Sequence, residues 1–256
     1  MPDLFTLKDK TALVTGGSRG IGFMIAQGLV RAGVRVLISS RKAEDLEAAA
    51  AELTRDGTAT PIPADLSTPE GARALRDAVR ARTDRLDILV NNAGATWGAP
   101  LEEFPPSGWD RAMHTNVEGV FHLTVSVLPV LRAAGTEEDP ARVVNIGSVD
   151  GIRAPVTESY SYSASKAAVH MLTRHLAKRL APEHITVNAI APGPFPSKMM
   201  KSTLEAFGDE IAKAAPMKRI GQPSDMAGAA IFLASPAASY ITGVILPVDG
   251  GIATLA

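Results

Sequence analysis

Tyr162 and Lys166 lie four residues apart and form the pair in this sequence best suited to proton transfer. They open a helical pattern, and residues at i and i+4 lie on one face of a helix. A free tyrosine has a pKa of about 10 and is a poor base near neutrality. A neighbouring ammonium stabilises the phenolate, so we expect Lys166 to lower the pKa of Tyr162. Tyr160 lacks such a partner, because Ala164 stands four residues further on.

Two other polar residues are expected near this pair, and they matter because a Tyr-x-x-x-Lys spacing alone is common in helices. Ser148 follows a strand-like run at its carboxyl end, where open α/β sheets bind ligands, and its hydroxyl can hydrogen-bond a substrate carbonyl. Asn116 lies within a long apolar helical pattern, where an amide is unfavourable unless it has partners. It either satisfies a break in the helix or holds a water that links Lys166 to solvent.

A glycine-rich turn connects the first strand-like run to the first helical pattern, with the sequence Thr-Gly-Gly-Ser-Arg-Gly-Ile-Gly over residues 15–22. Gly16 permits a tight turn, Gly20 leaves room for a pyrophosphate, and Gly22 allows close packing of helix and sheet. The free N–H groups of the helix start then face the anion. The alternative is an ordinary glycine-rich loop, but the strand before and the helix after favour a dinucleotide site. The predicted cofactor-binding residues of this turn are Gly16, Ser18, Arg19, Gly20, Ile21 and Gly22.

The residues after the second strand-like run indicate which dinucleotide binds. An NAD site places an acid there for the ribose 2′-hydroxyl, whereas this chain has Ser39-Ser40-Arg41-Lys42. Ser40 and Arg41 suit a 2′-phosphate, and Arg19 can supply a second guanidinium. The alternative for Arg41 is a solvated loop cation. The sequence therefore predicts NADP(H), whose nicotinamide ribose Lys166 can also hold.

Two kinds of apolar segment alternate along the chain and must position these residues. Short β-branched runs predict strands over 12–15, 35–39, 60–63, 88–91, 142–146, 185–190 and 244–248. Helical spacing lies between them over 21–32, 43–56, 69–83, 109–132, 162–180 and 224–233. Strands with little polar alternation are buried on both faces, and intervening helices imply right-handed crossovers. We expect an α/β fold, a doubly wound Rossmann-type parallel sheet of about seven strands with helices on both faces.

No linker divides the 256 residues, so we expect one dinucleotide-binding and catalytic domain over 1–256. Residues 192–217 break the strand–helix rhythm and are rich in Pro, Met and Ala. We expect them to be a mobile cover over the substrate. Its apolar side chains suit an acyl chain better than a sugar, and they are Met199, Met200, Leu204 and Phe207.

Composition excludes several classes of function. The net charge of −1 favours neither nucleic acid nor a membrane surface as partner. The absence of cysteine excludes disulfides and thiolate catalysis, and the five histidines lack metal-ligand spacing. Without an apolar leader or a run of about 18 apolar residues, we expect a soluble cytoplasmic protein.

The motifs together resemble the short-chain dehydrogenase/reductase family over nearly the whole chain. They are Thr15–Gly22, Asp65-Leu66, Asn91–Gly94, Asn116, Ser148, Tyr162–Lys166, Pro192-Gly193 and Val248–Gly251. The resemblance implies that Asn116, Ser148, Tyr162 and Lys166 form a catalytic tetrad. It also implies that Asp65 contacts the adenine and the segment from Pro192 contacts the nicotinamide, with Ser197 replacing the family's threonine. The remaining predicted cofactor contacts are Leu66, Asn92, Ala93, Gly94, Tyr162, Lys166 and Gly193, of which the small residues at 93–94 let the cofactor approach the backbone.

Within that family the chain is most similar to bacterial 3-oxoacyl reductases, in the subset of rhamnolipid-type 3-hydroxyacyl metabolism. The similarity lies in Gly16–Ile25, Ile62–Leu66, Leu86–Gly94, Trp97-Gly98, Asn145–Ser148 and Asn188–Pro192. It implies NADPH-dependent reduction of a 3-oxoacyl thioester by a homotetramer. A polyol or sugar-acid dehydrogenase and a nucleotide-sensing protein without turnover are alternatives, and the intact tetrad speaks against the latter.

The carrier of the acyl group stays open at this point. Docking an acidic acyl carrier protein needs a basic surface, which the loop 137–139 and Glu183 do not suggest. A CoA ester or a free ketone is therefore an alternative substrate.

Overall fold

A single parallel sheet organises the chain, for which a computed structural model describes residues 3–197 and 200–253. Its strands are β1 (Thr11–Thr15), β2 (Arg35–Ser40), β3 (Ala59–Pro63), β4 (Ile88–Asn91), β5 (Ala141–Ile146), β6 (Ile185–Pro192) and β7 (Ile245–Val248). They lie in the order β3-β2-β1-β4-β5-β6-β7, and every neighbouring pair is parallel. The predicted seven-stranded parallel sheet is confirmed.

The described residues form eight α-helices, six of which pack against the sheet. They are α1 (Gly20–Arg31), α2 (Ala43–Leu53), α3 (Pro69–Arg80), α4 (Pro106–Met113), α5 (Gly119–Arg132), α6 (Tyr160–Leu180), α7 (Lys201–Ala214) and α8 (Pro223–Ala234). One hydrophobic cluster joins the sheet to α1, α2 and α8, and a second joins it to α3, α5 and α6. Because alternate residues of one strand face opposite sides, Val14 belongs to the first cluster and Leu13 to the second.

The strand order reverses between β1 and β4, which is where a crevice opens in this class of sheet. From β1 the chain proceeds outward to β3, returns to β4 beside β1, and then proceeds outward again to β7. The connections leaving β1 and β4 therefore diverge at the carboxyl edge, and ligands bind in the crevice between them. The glycine-rich turn follows β1, and Asn92–Gly94 follows β4.

The long helix expected over 109–132 is wrong as one continuous helix. A π-helical turn over His114–Glu118 separates α4 from α5, and the Gly119 N–H bonds the His114 carbonyl five residues back. Such a turn inserts one residue and leaves the apolar spacing on both sides nearly unchanged, so periodicity does not detect it. Asn116 lies within this turn.

Residues 192–217 contain helix α7, which the sequence did not predict. The helix is kinked at Phe207, whose φ and ψ angles are −136° and 19°. Both ends of the segment are tied to the strand β7 region. The Gly193 N–H lies 3.0 Å from the Val248 carbonyl, and the Met217 N–H lies 3.1 Å from that of Gly250.

Candidate active site

The start of α6 brings the predicted acid/base pair against the end of β5. The Lys166 Nζ donates to the Ile146 carbonyl at 2.7 Å and lies 5.6 Å from the centroid of the Tyr162 ring. The Ser148 side chain lies next to the Tyr162 phenol and lowers its pKa. Three predicted catalytic residues, Ser148, Tyr162 and Lys166, therefore meet at the carboxyl edge of the sheet.

Ser148 is held by the turn that follows it. Its backbone is extended and leads into a short 3-10 turn over Val149–Gly151, and its Oγ accepts the Asp150 N–H at 3.1 Å. Because this contact uses a lone pair, the hydroxyl hydrogen stays available to a carbonyl oxygen in the crevice.

The Asn116 side chain connects the loop after β4 to helix α6. It is 1% exposed; its Oδ1 accepts the Ala95 N–H at 2.7 Å, and its Nδ2 donates to the Ala95 carbonyl at 2.9 Å. Nδ2 also donates to the Ser165 Oγ at 2.8 Å, and that hydroxyl donates to the Tyr162 carbonyl at 2.7 Å. The amide thus ties the loop after β4 to the first turn of α6. Its water-holding role stays a prediction.

Burial dominates the electrostatics of the acid/base pair. Burial raises the pKa of Tyr162 to about 12, a hydrogen bond with Ser148 lowers it, and the Asp150 carboxylate raises it further. Part of the Tyr162 side chain is exposed at the crevice, so solvent screens some of this effect. Burial lowers the pKa of Lys166 to about 8. The lowered tyrosine pKa that we expected is therefore not found, and near neutrality the phenol holds a proton that it can donate.

Asp150 is a site residue that the sequence analysis missed. Partial burial raises the pKa of its carboxyl group, against the opposing charge of Arg153. It lies two residues after Ser148 and acts electrostatically on Tyr162. The only sequence signal is an acid close behind a predicted catalytic serine, which is too common to be distinctive.

Tyr160 is separated from the acid/base pair. Its hydroxyl donates to Glu158 at 3.2 Å, and its ring packs edge-on against Phe104 at 5.5 Å between centroids. The distinction between Tyr160 and Tyr162 is thus also visible in their surroundings.

The glycine-rich turn has the backbone geometry that a phosphate cradle needs. Gly16 and Gly20 have φ angles of 63° and 56°, in the left-handed region that favours glycine. A Cβ on Gly22 would overlap the Gly16 carbonyl. Helix α1 begins without a side-chain cap, because the extended Arg19 at its N-cap makes no such bond. Its first N–H groups are therefore directed to an anion. Ser18 and Ile21 lie in the same turn, half-buried.

Thr15 and Asn92 lock this turn to the end of β4. The Thr15 Oγ1 accepts the N–H groups of Asn92 and Ala93, each at 3.0 Å. The Asn92 Nδ2 donates in return to the carbonyls of Thr15 at 2.9 Å and Gly16 at 3.2 Å. Asn92, which was predicted to contact the cofactor, thus also holds the glycine-rich turn in place. Thr15 is a supporting residue that the sequence analysis did not single out.

The end of β2 offers polar groups that suit a 2′-phosphate. The Ser40 Oγ is buried and makes no hydrogen bond with any described residue. Arg41 is exposed beside it, and among the described residues Arg19 pairs with Asp45, at 3.5 Å on the surface. An exposed pair of that kind contributes about 0–1 kcal/mol, less than the roughly 1.5–3 kcal/mol of a hydrogen bond to a charged group. An anion would therefore draw Arg19 from Asp45, and the residues present fit NADP(H).

Asp65 and Leu66 follow β3 at the same edge. Burial raises the pKa of Asp65, but hydrogen bonds from Ser67 and the charge of Arg41 outweigh it and hold the pKa below its ordinary value. Leu66 is 8% exposed and belongs to the hydrophobic core. The side chain of Leu66 is therefore a packing residue, and only its backbone is placed to contact a cofactor.

The opposite side of the crevice is formed by residues after β4 and β6. A Cβ on Gly94 would lie 3.2 Å from the Asn116 Oδ1 and 3.7 Å from the Lys166 Nζ, so glycine leaves open space above the lysine. Pro192 ends β6. Ser197, four residues after Gly193, packs opposite the glycine-rich turn, where a Cβ on Gly20 would lie 3.3 Å from its Cβ. Both loops that were predicted to contact the cofactor thus converge on one crevice.

The predicted apolar wall lies largely on α7. Phe207 is 59% exposed, while Met200 and Leu204 are half-buried. Met199 lies outside the described residues.

Within residues 3–197 and 200–253, no group of three acidic, histidine or cysteine side chains is arranged to hold a metal ion. No helix in that part of the chain has the length and apolar character needed to cross a membrane.

Known proteins match this chain over almost its full length. The protein-family model described as "Enoyl-(Acyl carrier protein) reductase" matches residues 16–253. A solved "short-chain type dehydrogenase/reductase from Mycobacterium marinum" has a TM-score of 0.92 and 31% identity, covering 98% of each chain. The chain belongs to the short-chain dehydrogenase/reductase family, a family of oxidoreductases.

Relatives with described activities include 3-oxoacyl reductases and a gluconate dehydrogenase. The "Rhamnolipids biosynthesis 3-oxoacyl-[acyl-carrier-protein] reductase" of Pseudomonas aeruginosa is 51% identical, covering 98% of this chain and 99% of that protein. The solved "Pseudomonas aeruginosa RhlG/NADP active-site complex" has a TM-score of 0.96 and 50% identity, covering 99% of this chain and 100% of that one. The gluconate 5-dehydrogenase of Gluconobacter oxydans is 38% identical, covering 98% of this chain and 97% of that protein.

Proposed function

We propose that this protein is an NADPH-dependent oxidoreductase that reduces a 3-oxoacyl thioester to the 3-hydroxyacyl thioester. The observation that carries this proposal is the meeting of Ser148, Tyr162 and Lys166 at the sheet edge that also carries the glycine-rich turn. The Pseudomonas aeruginosa relative, at 51% identity, supports the substrate class.

The cofactor is proposed to be NADPH, which supplies the hydride that reduces the carbonyl carbon. Its pyrophosphate would be held at the glycine-rich turn and the start of α1. Its 2′-phosphate would be held by Ser40, Arg41 and Arg19. The NADP named for the solved Pseudomonas aeruginosa relative supports this choice.

The side chains of this protein supply the proton and fix the carbonyl. The Ser148 hydroxyl and the Tyr162 phenol hydrogen-bond the carbonyl oxygen, and Tyr162 gives that oxygen its proton as the alcohol forms. A phenol that is protonated at neutral pH suits this direction. Lys166, buried and bonded to Ile146, lies on the route by which the proton is replaced. A water held at Asn116 is the proposed link to solvent.

Exposed apolar side chains after three of the strands favour an acyl chain over a sugar. They lie on the loops and the helix that follow β4, β5 and β6. They are Leu101, Ile152, Val156 and Phe207. We therefore propose that residues 192–217 cover the acyl chain.

A second candidate function is oxidation of a sugar acid, which the gluconate 5-dehydrogenase relatives favour. A substrate panel separates the two. The purified protein is assayed with 3-oxoacyl-CoA, 3-oxoacyl carrier protein, 5-ketogluconate and cyclic ketones, each with NADPH and NADH. We expect the highest kcat/KM for a 3-oxoacyl ester with NADPH. A higher kcat/KM for 5-ketogluconate would establish the sugar-acid function instead.

The assembly is proposed to be a homotetramer working in the cytoplasm, where NADPH is available. Phe121 and Val125 on α5 are 42% and 44% exposed, and Met171 on α6 is 62% exposed. These apolar side chains lie outside the stripes that face the sheet and suit helix packing between subunits. Light scattering should give the mass of four chains, and a monomer would refute the proposal.

A further inference from the structure

Helix α6 contacts the chain after β5 at three successive turns, of which the proposed mechanism uses two. Tyr162 meets Ser148, and Lys166 bonds the Ile146 carbonyl. His170, one further turn along the same face, meets the residues on both sides of Ser148. It is 5% exposed.

The His170 imidazole is wedged between two glycines. A Cβ on Gly147 would overlap its Nε2, and a Cβ on Gly151 would lie 2.9 Å from its Cε1. Gly147 is in turn held by its N–H bond to the Ile190 carbonyl at 2.7 Å. The ring therefore occupies the space that a side chain at 147 would need. At 151 it shares this role with the α6 backbone, because the Lys166 C and Ala167 N atoms would each lie 2.7 Å from a Cβ there.

The polar contacts of the ring distinguish it from a packing residue. Burial lowers the pKa of His170 to about 4, a hydrogen bond with the Gly151 backbone opposes this, and the charges of Lys166 and Arg174 add to it. The ring is thus neutral near pH 7 with a single N–H, and we infer that the adjacent Gly151 backbone is its acceptor. Nε2 remains a buried acceptor without a partner among the described residues. An apolar side chain would avoid that penalty, so packing alone does not account for a histidine.

We propose that His170 is a positioning residue that holds the Gly147–Gly151 turn where the Ser148 hydroxyl reaches both the substrate oxygen and Tyr162. This inference rests on the proposed reductase function. It requires the N–H bond to Gly151 in addition to the volume of the ring.

Three substitutions separate volume from hydrogen bonding. His170→Leu keeps an apolar volume without a donor, His170→Asn places an amide N–H near the position of Nδ1, and His170→Gln places one near Nε2. We expect His170→Leu and His170→Gln to lower kcat about 30-fold, since small misplacements of catalytic groups cost up to about 100-fold. We expect His170→Asn to recover kcat to within about 3-fold and every variant to bind NADPH within about 2-fold of wild type.

The matched control is His175→Asn, because His175 is exposed on the same helix and should leave kcat unchanged. Wild-type kcat in folded His170→Leu, or equal kcat in the Asn and Gln variants, overturns the inference. If the Leu variant does not fold, the Asn and Gln pair decides the question alone. A loss of NADPH affinity that parallels the loss of kcat also overturns it.

A crystallographic measurement keeps this inference distinct from the proposed function. If the wild type reduces none of the ketones, the proposed function fails, and the positioning role is judged by structure alone. Crystal structures of the wild type and of His170→Gln should then differ in the distance from the Ser148 Oγ to the Tyr162 hydroxyl oxygen. We expect this distance to lengthen by about 0.5 Å or more, the tolerance of a working site. An unchanged distance overturns the positioning role.

Discussion

The catalytic end and the 2′-phosphate end of the crevice are built in contrasting ways. At the catalytic end, Asn116 and Lys166 are buried and all their polar contacts are to protein groups. At the phosphate end, the Ser40 Oγ has no partner among the described residues and Arg41 is exposed. The fold alone holds the groups of the catalytic end in place, whereas a bound ligand would bring together the groups of the 2′-phosphate end.

This contrast follows from what each end has to do. Catalysis depends on groups held in reactive geometry before the substrate arrives, and small displacements there are costly. Phosphate recognition depends mainly on charge, which long cationic side chains can bring to the ligand after it has bound. Substitutions at the catalytic end should therefore change kcat, and those at the phosphate end should change cofactor affinity.

Tyr162→Phe should have the largest effect. Removing the proton donor should lower kcat about 1,000-fold or more, since general acid catalysis contributes about 100- to 10,000-fold. NADPH affinity, measured by fluorescence titration, should stay within about 2-fold of wild type because the phenyl ring is retained. Tyr160→Phe is the control and should leave kcat unchanged. Wild-type turnover in the Tyr162 variant would show that another group donates the proton.

Arg41→Ala should affect affinity and not chemistry. Losing one guanidinium–phosphate bond of about 2 kcal/mol should raise the KM for NADPH about 30-fold. The KM for NADH and the kcat at saturating NADPH should both be unchanged. Arg55→Ala, an exposed arginine beyond the end of α2, is the control. A large fall in kcat with an unchanged KM for NADPH would contradict the assignment of catalysis to one end of the crevice and of cofactor affinity to the other.

Asp150→Asn should have the smallest effect of the three, a shift of the pH profile to lower pH. The Asp150 carboxylate raises the pKa of Tyr162, so its removal should lower that pKa. Oxidation of the alcohol needs the phenolate, so its kcat/KM rises with pH as Tyr162 loses its proton. In the variant this rise should occur at lower pH. The pH profile of kcat/KM for 3-hydroxyacyl oxidation measures this shift. Glu158→Gln is the control, because Glu158 acts on the pKa of Tyr160. A shift to higher pH would contradict the assigned electrostatics.

Much of the site was predictable because it depends on local backbone chemistry. The glycines at 16, 20 and 22 indicate a tight turn, and the absence of an acid after β2 indicates the charge of the ligand. Each pattern lies within a few residues of the chain. The pairing of Tyr162 with Lys166 followed from helical spacing. The direction of the Tyr162 pKa was wrong, because it depends on burial and on Asp150, and neither can be obtained from spacing along one helix.

The sequence by itself predicted the seven strands, most of the helices between them, the glycine-rich turn and the candidate catalytic side chains. These follow from periodicity and residue type, which act over a few positions along the chain. Tertiary structure alone decided that Asn116 connects the loop after β4 to α6, that Thr15 holds the glycine-rich turn against the end of β4, and that His170 lies beside the Ser148 turn. The physical reason is that each of these contacts joins residues far apart in sequence, and burial and partner geometry exist only once the sheet has brought them together.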